Sequence, residues 1–259
     1  MRVFLAGATG VVGRRLLPML IEAGHEVVGT TRSTAQLEGL AKAGAEPVVM
    51  DGLDDGSVTR AVVGARPDVV IHQLTSLKGT GDLKKFDEEY AVTNRLRTLG
   101  TDNLLGAARS AGVRRFIAQS FTGWTNERSG SAVKDERDPL DPSPTAASRR
   151  TLAAIRHLEE TVGSARHRGL CLRYGILYGP GTGFGEGGEI LELVRKRRLP
   201  VVGGGTGVWS FVHVDDAARA TVQALDHGPR AAKTSSTTSR RRCRSGSPCW
   251  LRRSAQSRP

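Results

Sequence analysis

The sequence predicts an α/β protein built on a doubly wound parallel sheet. Three observations carry that expectation. Short apolar runs alternate with amphipathic helical stretches from the first residues onward, the pattern of βαβ units. A glycine-rich turn, Gly7-Ala8-Thr9-Gly10-Val11-Val12-Gly13, falls between the first run and the first helical stretch. The chain of 259 residues is long enough to bury one large core or two small ones.

The elements follow in order. Arg2 to Ala6 reads as the first strand. Val11 to Ala23 reads as a helix, with Val12, Leu16, Leu17, Leu20 and Ile21 as its apolar face and Gly24 as its C-cap. Strands are expected at Glu26 to Thr30, Glu46 to Met50, Asp68 to His72, Arg115 to Gln119 and Leu170 to Tyr174. Helices are expected at Thr34 to Ala43, Asp55 to Val63, Leu83 to Ser110 and Thr145 to Ala165. The polar, proline-bearing Thr122 to Pro144 reads as a loop. Six strands with helical crossovers therefore fill residues 1–174, a dinucleotide-binding (Rossmann) arrangement. Beyond it lie a helix near Glu189 to Arg197, a strand near Trp209 to Val212 and a helix from Asp215 to Leu225. Residues 175–230 are expected to form a small, incomplete C-terminal substrate lobe, and 231–259 a basic, disordered tail.

Composition excludes several classes. No run of about 18 apolar residues exists to span a bilayer, and a glycine turn by residue 7 argues against an export signal. Cys171, Cys243 and Cys249 form no disulfide framework and no metal-ligand pattern, which suits a cytoplasmic protein without a metal. The net charge of +12 is concentrated at one end, because Arg230 to Pro259 holds nine Lys or Arg and no Asp or Glu. A basic tail attracts phosphate backbones, but nothing in the chain resembles a groove-reading motif, so neither nucleic acid nor membrane is an expected partner.

The glycine turn has a physical rationale. Gly7 permits the tight turn, Gly10 the close approach of backbone to a pyrophosphate, and Gly13 close helix–sheet packing. Thr9, Val11 and Val12 add backbone N–H groups at the helix start. The end of the second strand reads Gly29-Thr30-Thr31-Arg32-Ser33, without the carboxylate that would take the ribose hydroxyls of NAD. Arg32 can pair with a 2′-phosphate and Thr31 can donate beside it, so NADP is the expected cofactor, with NAD as the alternative.

These residues resemble the extended short-chain dehydrogenase/reductases, grouped as NAD-dependent epimerase/dehydratases. The resemblance runs over roughly residues 1 to 228. Asp51-Gly52-Leu53 is similar to the family's adenine-contacting pair after the third strand. Leu74 and Thr75 follow a strand like theirs, and Asn94 with Gly100-Thr101 and Asn103-Leu104-Leu105 resembles their long helix. Leu172-Arg173-Tyr174-Gly175-Ile176 looks like the sixth strand and nicotinamide-side turn, and Phe211-Val212-His213-Val214-Asp215-Asp216 like a late lobe motif. The resemblance implies a small-molecule substrate, hydride transfer on a carbonyl, alcohol or sugar-like compound, and pairing of two copies through the two long helices.

The family's catalytic Tyr and the Lys four residues later have no counterpart. The chain has only Tyr90, Tyr174 and Tyr178, none with a Lys four residues on, and Thr151 or Leu152 falls near the Tyr position. An aliphatic hydroxyl has too high a pKa to replace a phenol as acid, and an arginine cannot shuttle a proton. Ser120, with Thr122 as second choice, is the candidate to polarise a substrate, while Trp124, Tyr174 and Tyr178 are candidates to line the pocket. A non-catalytic NADP-binding redox sensor is the alternative function.

The tail has a second reading. Codons chosen for Thr234 to Pro259, taken one nucleotide earlier, spell NIVDDEPAPVSEWLPVLAAALGAKPP, an acidic-proline turn followed by an amphipathic helix. A frameshift near residues 229–233 is the expectation that follows.

Overall fold

The computed structural model describes residues 1–77, 85–131, 133–165, 168–199 and 209–226, together with the backbone of 233–235. Its strands are β1 (Arg2–Ala6), β2 (Glu26–Thr31), β3 (Glu46–Val49), β4 (Val69–His72), β5 (Arg115–Phe121), β6 (Arg168–Tyr174), β7 (Ile176–Tyr178), β8 (Phe211–His213) and β9 (Lys233–Ser235). The helices are α1 (Val11–Glu22), α2 (Leu37–Lys42), α3 (Asp55–Ala65), α4 (Phe86–Glu89), α5 (Ala91–Arg95), α6 (Thr101–Ser110), α7 (Arg149–Ser164), α8 (Glu189–Arg195) and α9 (Val214–Asp226).

The main sheet runs β3-β2-β1-β4-β5-β6-β9, every pair parallel. Strand order reverses between β1 and β4, the switch point at which a doubly wound sheet opens a crevice at its carboxyl edge. Both faces of the sheet are covered, which is why β1 and β4 are apolar almost throughout and buried. Successive side chains of β1 point to opposite layers. Val3 and Leu5 join Leu16 and Leu20 of α1 and Ala217 and Leu225 of α9. Phe4 and Ala6 join Val58 and Val62 of α3, Leu104 of α6 and Leu158 of α7.

Three departures from the expected elements have local causes. β5 continues two residues past Gln119 because Ser120 and Phe121 still pair with Arg173 and Tyr174. The helical stretch before Ser110 is interrupted by a π turn at Leu96–Gly100, between α5 and α6. Helix α7 begins at Arg149 after a single 3₁₀ turn at Ala146–Ser148, where the pattern predicts a start at Thr145.

The segment beyond residue 175 divides. β7 and β8 pair as a separate two-stranded ribbon, whereas α9 contributes Val214, Ala217, Ala218, Ala224 and Leu225 to the main core. The backbone of Lys233–Ser235, in the expected tail, runs parallel to Leu172–Tyr174. Residues 236–259 lie outside the described residues.

Candidate functional site

The glycine turn lies at the carboxyl end of β1, beside the switch point. Gly7 adopts φ +96°, and a Cβ there would stand 2.9 Å from the Gln73 carbonyl oxygen; this is a conformation and a contact that only glycine accommodates. A Cβ on Gly13 would overlap the Gly7 carbonyl oxygen, so α1 meets the turn backbone to backbone. The turn is held by Gly10 N–H donating to Gly7 O (3.0 Å) and Gly7 N–H donating to Thr30 Oγ1 (3.0 Å). At the N-terminus of α1 no side chain caps the backbone and no acidic residue stands in the first turn. Val11, near Thr9, is exposed there, whereas Val12 turns into the core. An uncapped helix start behind a glycine cradle fits a pyrophosphate anion.

At the end of β2, Thr31 is 4% exposed and its hydroxyl is engaged locally, accepting from Ser33 N–H (3.1 Å) and lying 3.2 Å from Gln36 Oε1. Arg32 is exposed. At the end of β3, Asp51 Oδ1 accepts from Leu53 N–H (3.0 Å), folding the Asp51-Gly52-Leu53 turn, and Asn103 of α6 donates to the Gly52 carbonyl (3.2 Å). Leu74 packs over Gly52, and its N–H donates to His72 Nδ1 (3.2 Å). Thr75 follows, half-buried. Burial holds the His72 ring at a pKa of about 4, with Arg97 adding to the depression and the Leu96 backbone opposing it. Its Nε2 lies 3.1 Å from Thr101 Oγ1.

The expected catalytic side chains are engaged elsewhere. Ser120 is 2% exposed, and its hydroxyl donates to Glu159 Oε1 (2.6 Å). Glu159 also receives Arg173 Nε (2.8 Å) and Nη2 (2.7 Å), a buried ion pair that raises the Arg173 pKa. Thr122 donates to Asn126 Oδ1 (3.2 Å). Thr151 is fully buried: it donates to Asp87 Oδ1 (2.7 Å) and accepts from Asn94 Nδ2 (2.9 Å). Asp87 also accepts the Arg150 and Thr151 backbone N–H groups, both at 2.8 Å, so it caps α7 from another helix. Tyr174 belongs to the core and not to a pocket wall. It is 1% exposed, with its hydroxyl bonded to Thr221 and accepting from Gln73 Nε2. Trp124 packs edge-on against Phe86 at 5.3 Å, and Tyr178 against His213 at 5.1 Å. A Cβ on Gly175 would stand 2.6 Å from Ser210 O, which lets β7, starting at Ile176, run close to the Ser210 backbone.

The sequence signals missed Asp87, Glu159 and Arg97. The first two lie far in sequence from their partners. Arg97 reads as an ordinary helix-surface cation, yet it is 7% exposed and burial lowers its pKa to about 10. Among the described residues no group of His, Cys, Asp and Glu is placed to hold a metal, and no helix is long and apolar enough to cross a membrane.

The strand order, the switch point and the glycine cradle define an NAD(P)-binding protein of the oxidoreductase and epimerase type. The sequence profile of the NAD dependent epimerase/dehydratase family matches residues 3–235, and the chain belongs to that family. It is 44% identical over 229 residues to a 3-diazoavenalumate denitrifying reductase from a Streptomyces species, across 87% of this chain and 72% of that protein. A 4-hydroxy-2-methyl-3-oxo-4-farnesyl-3,4-dihydroquinoline-1-oxide ketoreductase from Stigmatella aurantiaca is 27% identical over 232 residues, covering 88% of this chain and 66% of its own length. Among solved structures, the UDP-glucose 4-epimerase of Thermus thermophilus in complex with NAD superposes with a TM-score of 0.70 at 26% identity, over 92% of this chain and 78% of that one.

Proposed function

We propose that the chain is an NADP-dependent reductase for an electron-poor acceptor whose reduction needs no proton from a tyrosine, a diazonium-type substrate above all. The observation that carries this reading is the start of α7. That helix holds neither Tyr nor Lys, and Thr151 within it is sealed against Asp87 and Asn94. Ser120, the other candidate to assist a carbonyl, is bonded to Glu159. Reducing a ketone leaves an alkoxide that must be protonated, a demand these residues do not meet. A diazonium makes no such demand. Hydride on its terminal nitrogen converts R–N₂⁺ to R–N=N–H, which loses N₂ and keeps the hydrogen on carbon as R–H. NADPH, when bound, supplies that hydride and leaves as NADP⁺; the chain's share is to orient and enclose the reactants. The 44% identical relative, named for denitrifying a diazo compound, supports the same chemistry.

Arg32, exposed at the end of β2 where no carboxylate stands, supports the 2′-phosphate preference. The glycine cradle, Asp51-Gly52-Leu53, Leu74 and Thr75 are proposed to line the dinucleotide. Pairing of two copies through the long helices is supported by Val92 and Leu99, which are 43% and 41% exposed. The same sealing of Thr151 also suits a redox sensor that binds NADP without turnover.

The test is NADPH oxidation by the full chain with an aryl diazonium carboxylate beside a panel of ketones, aldehydes and quinones. Diazonium-dependent turnover with N₂ release, and deuterium from labelled NADPH on the arene carbon, is expected. Arg32→Ala is expected to weaken NADPH about tenfold and NADH little, the scale of one charge-assisted phosphate contact. Turnover of ketones alone contradicts the diazonium reading, and NADPH binding without any turnover selects the sensor.

A further inference from the structure

Arg97 is a buried cation with no carboxylate partner among the described residues. Its Nη1 has no partner among the described residues, and the influences on its charge are its own burial and the Tyr90 phenol, with no carboxylate among them. Leaving a guanidinium nitrogen buried and unpaired is costly, so its retention calls for a partner that arrives with a ligand. The residue stands in the π turn Leu96–Gly100, a distortion that recurs at functional sites. That turn lies against the carboxyl edge of the sheet. A Cβ on Gly52 would be 3.4 Å from Leu96 Cδ2, and the charge of Arg97 reaches His72 at the end of β4. The next residue, Gln73, touches Gly7 of the glycine cradle through its backbone. Two further buried polar atoms, Gln73 Oε1 and Asn94 Oδ1, are also without a partner among the described residues.

We propose that Arg97 is an oxyanion-binding residue of this crevice, pairing with a phosphate of the dinucleotide or a carboxylate of the substrate. The inference rests on the reading of the β1–β4 edge as the dinucleotide site. Arg97 would add a full charge to the backbone N–H groups that the uncapped start of α1 offers an anion.

The experiment uses the full chain, wild type beside Arg97→Met and Arg97→Lys. It reads the melting temperature without ligand, NADPH affinity by cofactor fluorescence, and thermal shifts with inorganic pyrophosphate and with 4-hydroxycinnamate. Arg97→Met is expected to melt no lower than wild type, because it removes an unpaired buried charge, and to lose at least tenfold in affinity for one oxyanion. Arg97→Lys is expected to recover part of that loss. Weakened NADPH and pyrophosphate binding assigns the phosphate; weakened 4-hydroxycinnamate binding alone assigns the carboxylate. Unchanged affinity for all three overturns the role of Arg97, and NADPH binding by the wild type then leaves the dinucleotide reading standing. A wild type that binds none of them overturns both. Should Arg97→Met not fold, Arg97→Lys and the pyrophosphate shift decide between the same outcomes.

Discussion

His72 shows how one buried side chain ties the crevice to pH. Its ring is enclosed at the end of β4, and burial lowers its pKa from 6.5 to about 4. Below pH 6.5 the unfolded chain takes up a proton that the folded chain refuses, so stability is complete above 6.5 and falls as the pH drops towards 4. The shift corresponds to a loss of about 3 kcal/mol across that window. Urea unfolding at pH 7 and pH 4.5 measures it. His72→Gln keeps a polar group for Leu74 N–H and Thr101 Oγ1 and is expected to flatten the decline. An equal decline in wild type and variant would assign the acid sensitivity to other groups. The consequence for function is that the ring at the end of β4 stays uncharged at neutral pH, and among the described residues Arg97 is the cation whose charge bears on it.

Among the elements, α7 depends on a cap donated from outside itself. Asp87, at the start of α4, accepts Arg150 N–H, Thr151 N–H and the Thr151 hydroxyl. A charge-assisted cap of this kind complements the positive end of a helix that has no acidic residue in its own first turn. Asp87→Ala is expected to cost about 1–2 kcal/mol of stability, Asp87→Asn less because one acceptor oxygen survives. Chemical denaturation of the two variants checks the order, and an Asp87→Ala protein as stable as wild type would show that solvent caps the helix equally well. This element also shows what a sequence reveals and what it hides. The six main strands, α1 and the glycine turn are legible in the order of residues, because period and turn chemistry are local. The sealing of Thr151 is not, since its partner Asp87 is 64 residues away. The same holds for Ser120, whose role depends on Glu159, 39 residues on. Arg97 escapes notice because the π turn changes the helical phase that would have placed it on one face or the other. Tyr174 looks like a pocket residue in sequence, yet its hydroxyl finds Thr221 on α9, far along the chain, and closes into the core.

For the whole molecule, the edge strand β9 contrasts in composition with the strand it pairs with. β6 is buried from Gly169 to Tyr174, and parallel strands covered on both faces favour apolar, β-branched residues. The neighbouring β9 instead reads Lys-Thr-Ser. The string spelled one nucleotide back, NIVDDEPAPVSEWLPVLAAALGAKPP, puts Asn-Ile-Val from position 234, where β9 runs, and follows it with an acidic-proline turn and an amphipathic helix. We propose that this string is the parent continuation, displaced by a frameshift. Two measurements bear on it. The coding DNA is expected to contain the string in the frame one base back. A chain of residues 1–233 joined to that string is expected to melt at least about 6 °C higher than the present one, since its Ile and Val, once buried, each contribute about 1.5–3 kcal/mol and each kcal/mol moves a domain of this size by about 2–4 °C. If the coding strand lacks the string, or the joined chain melts no higher, the Lys-Thr-Ser edge is native to the fold. The stability of the nucleotide-binding body then rests on strands β1 to β6, and the affinity of the crevice for NADPH should be the same in both chains.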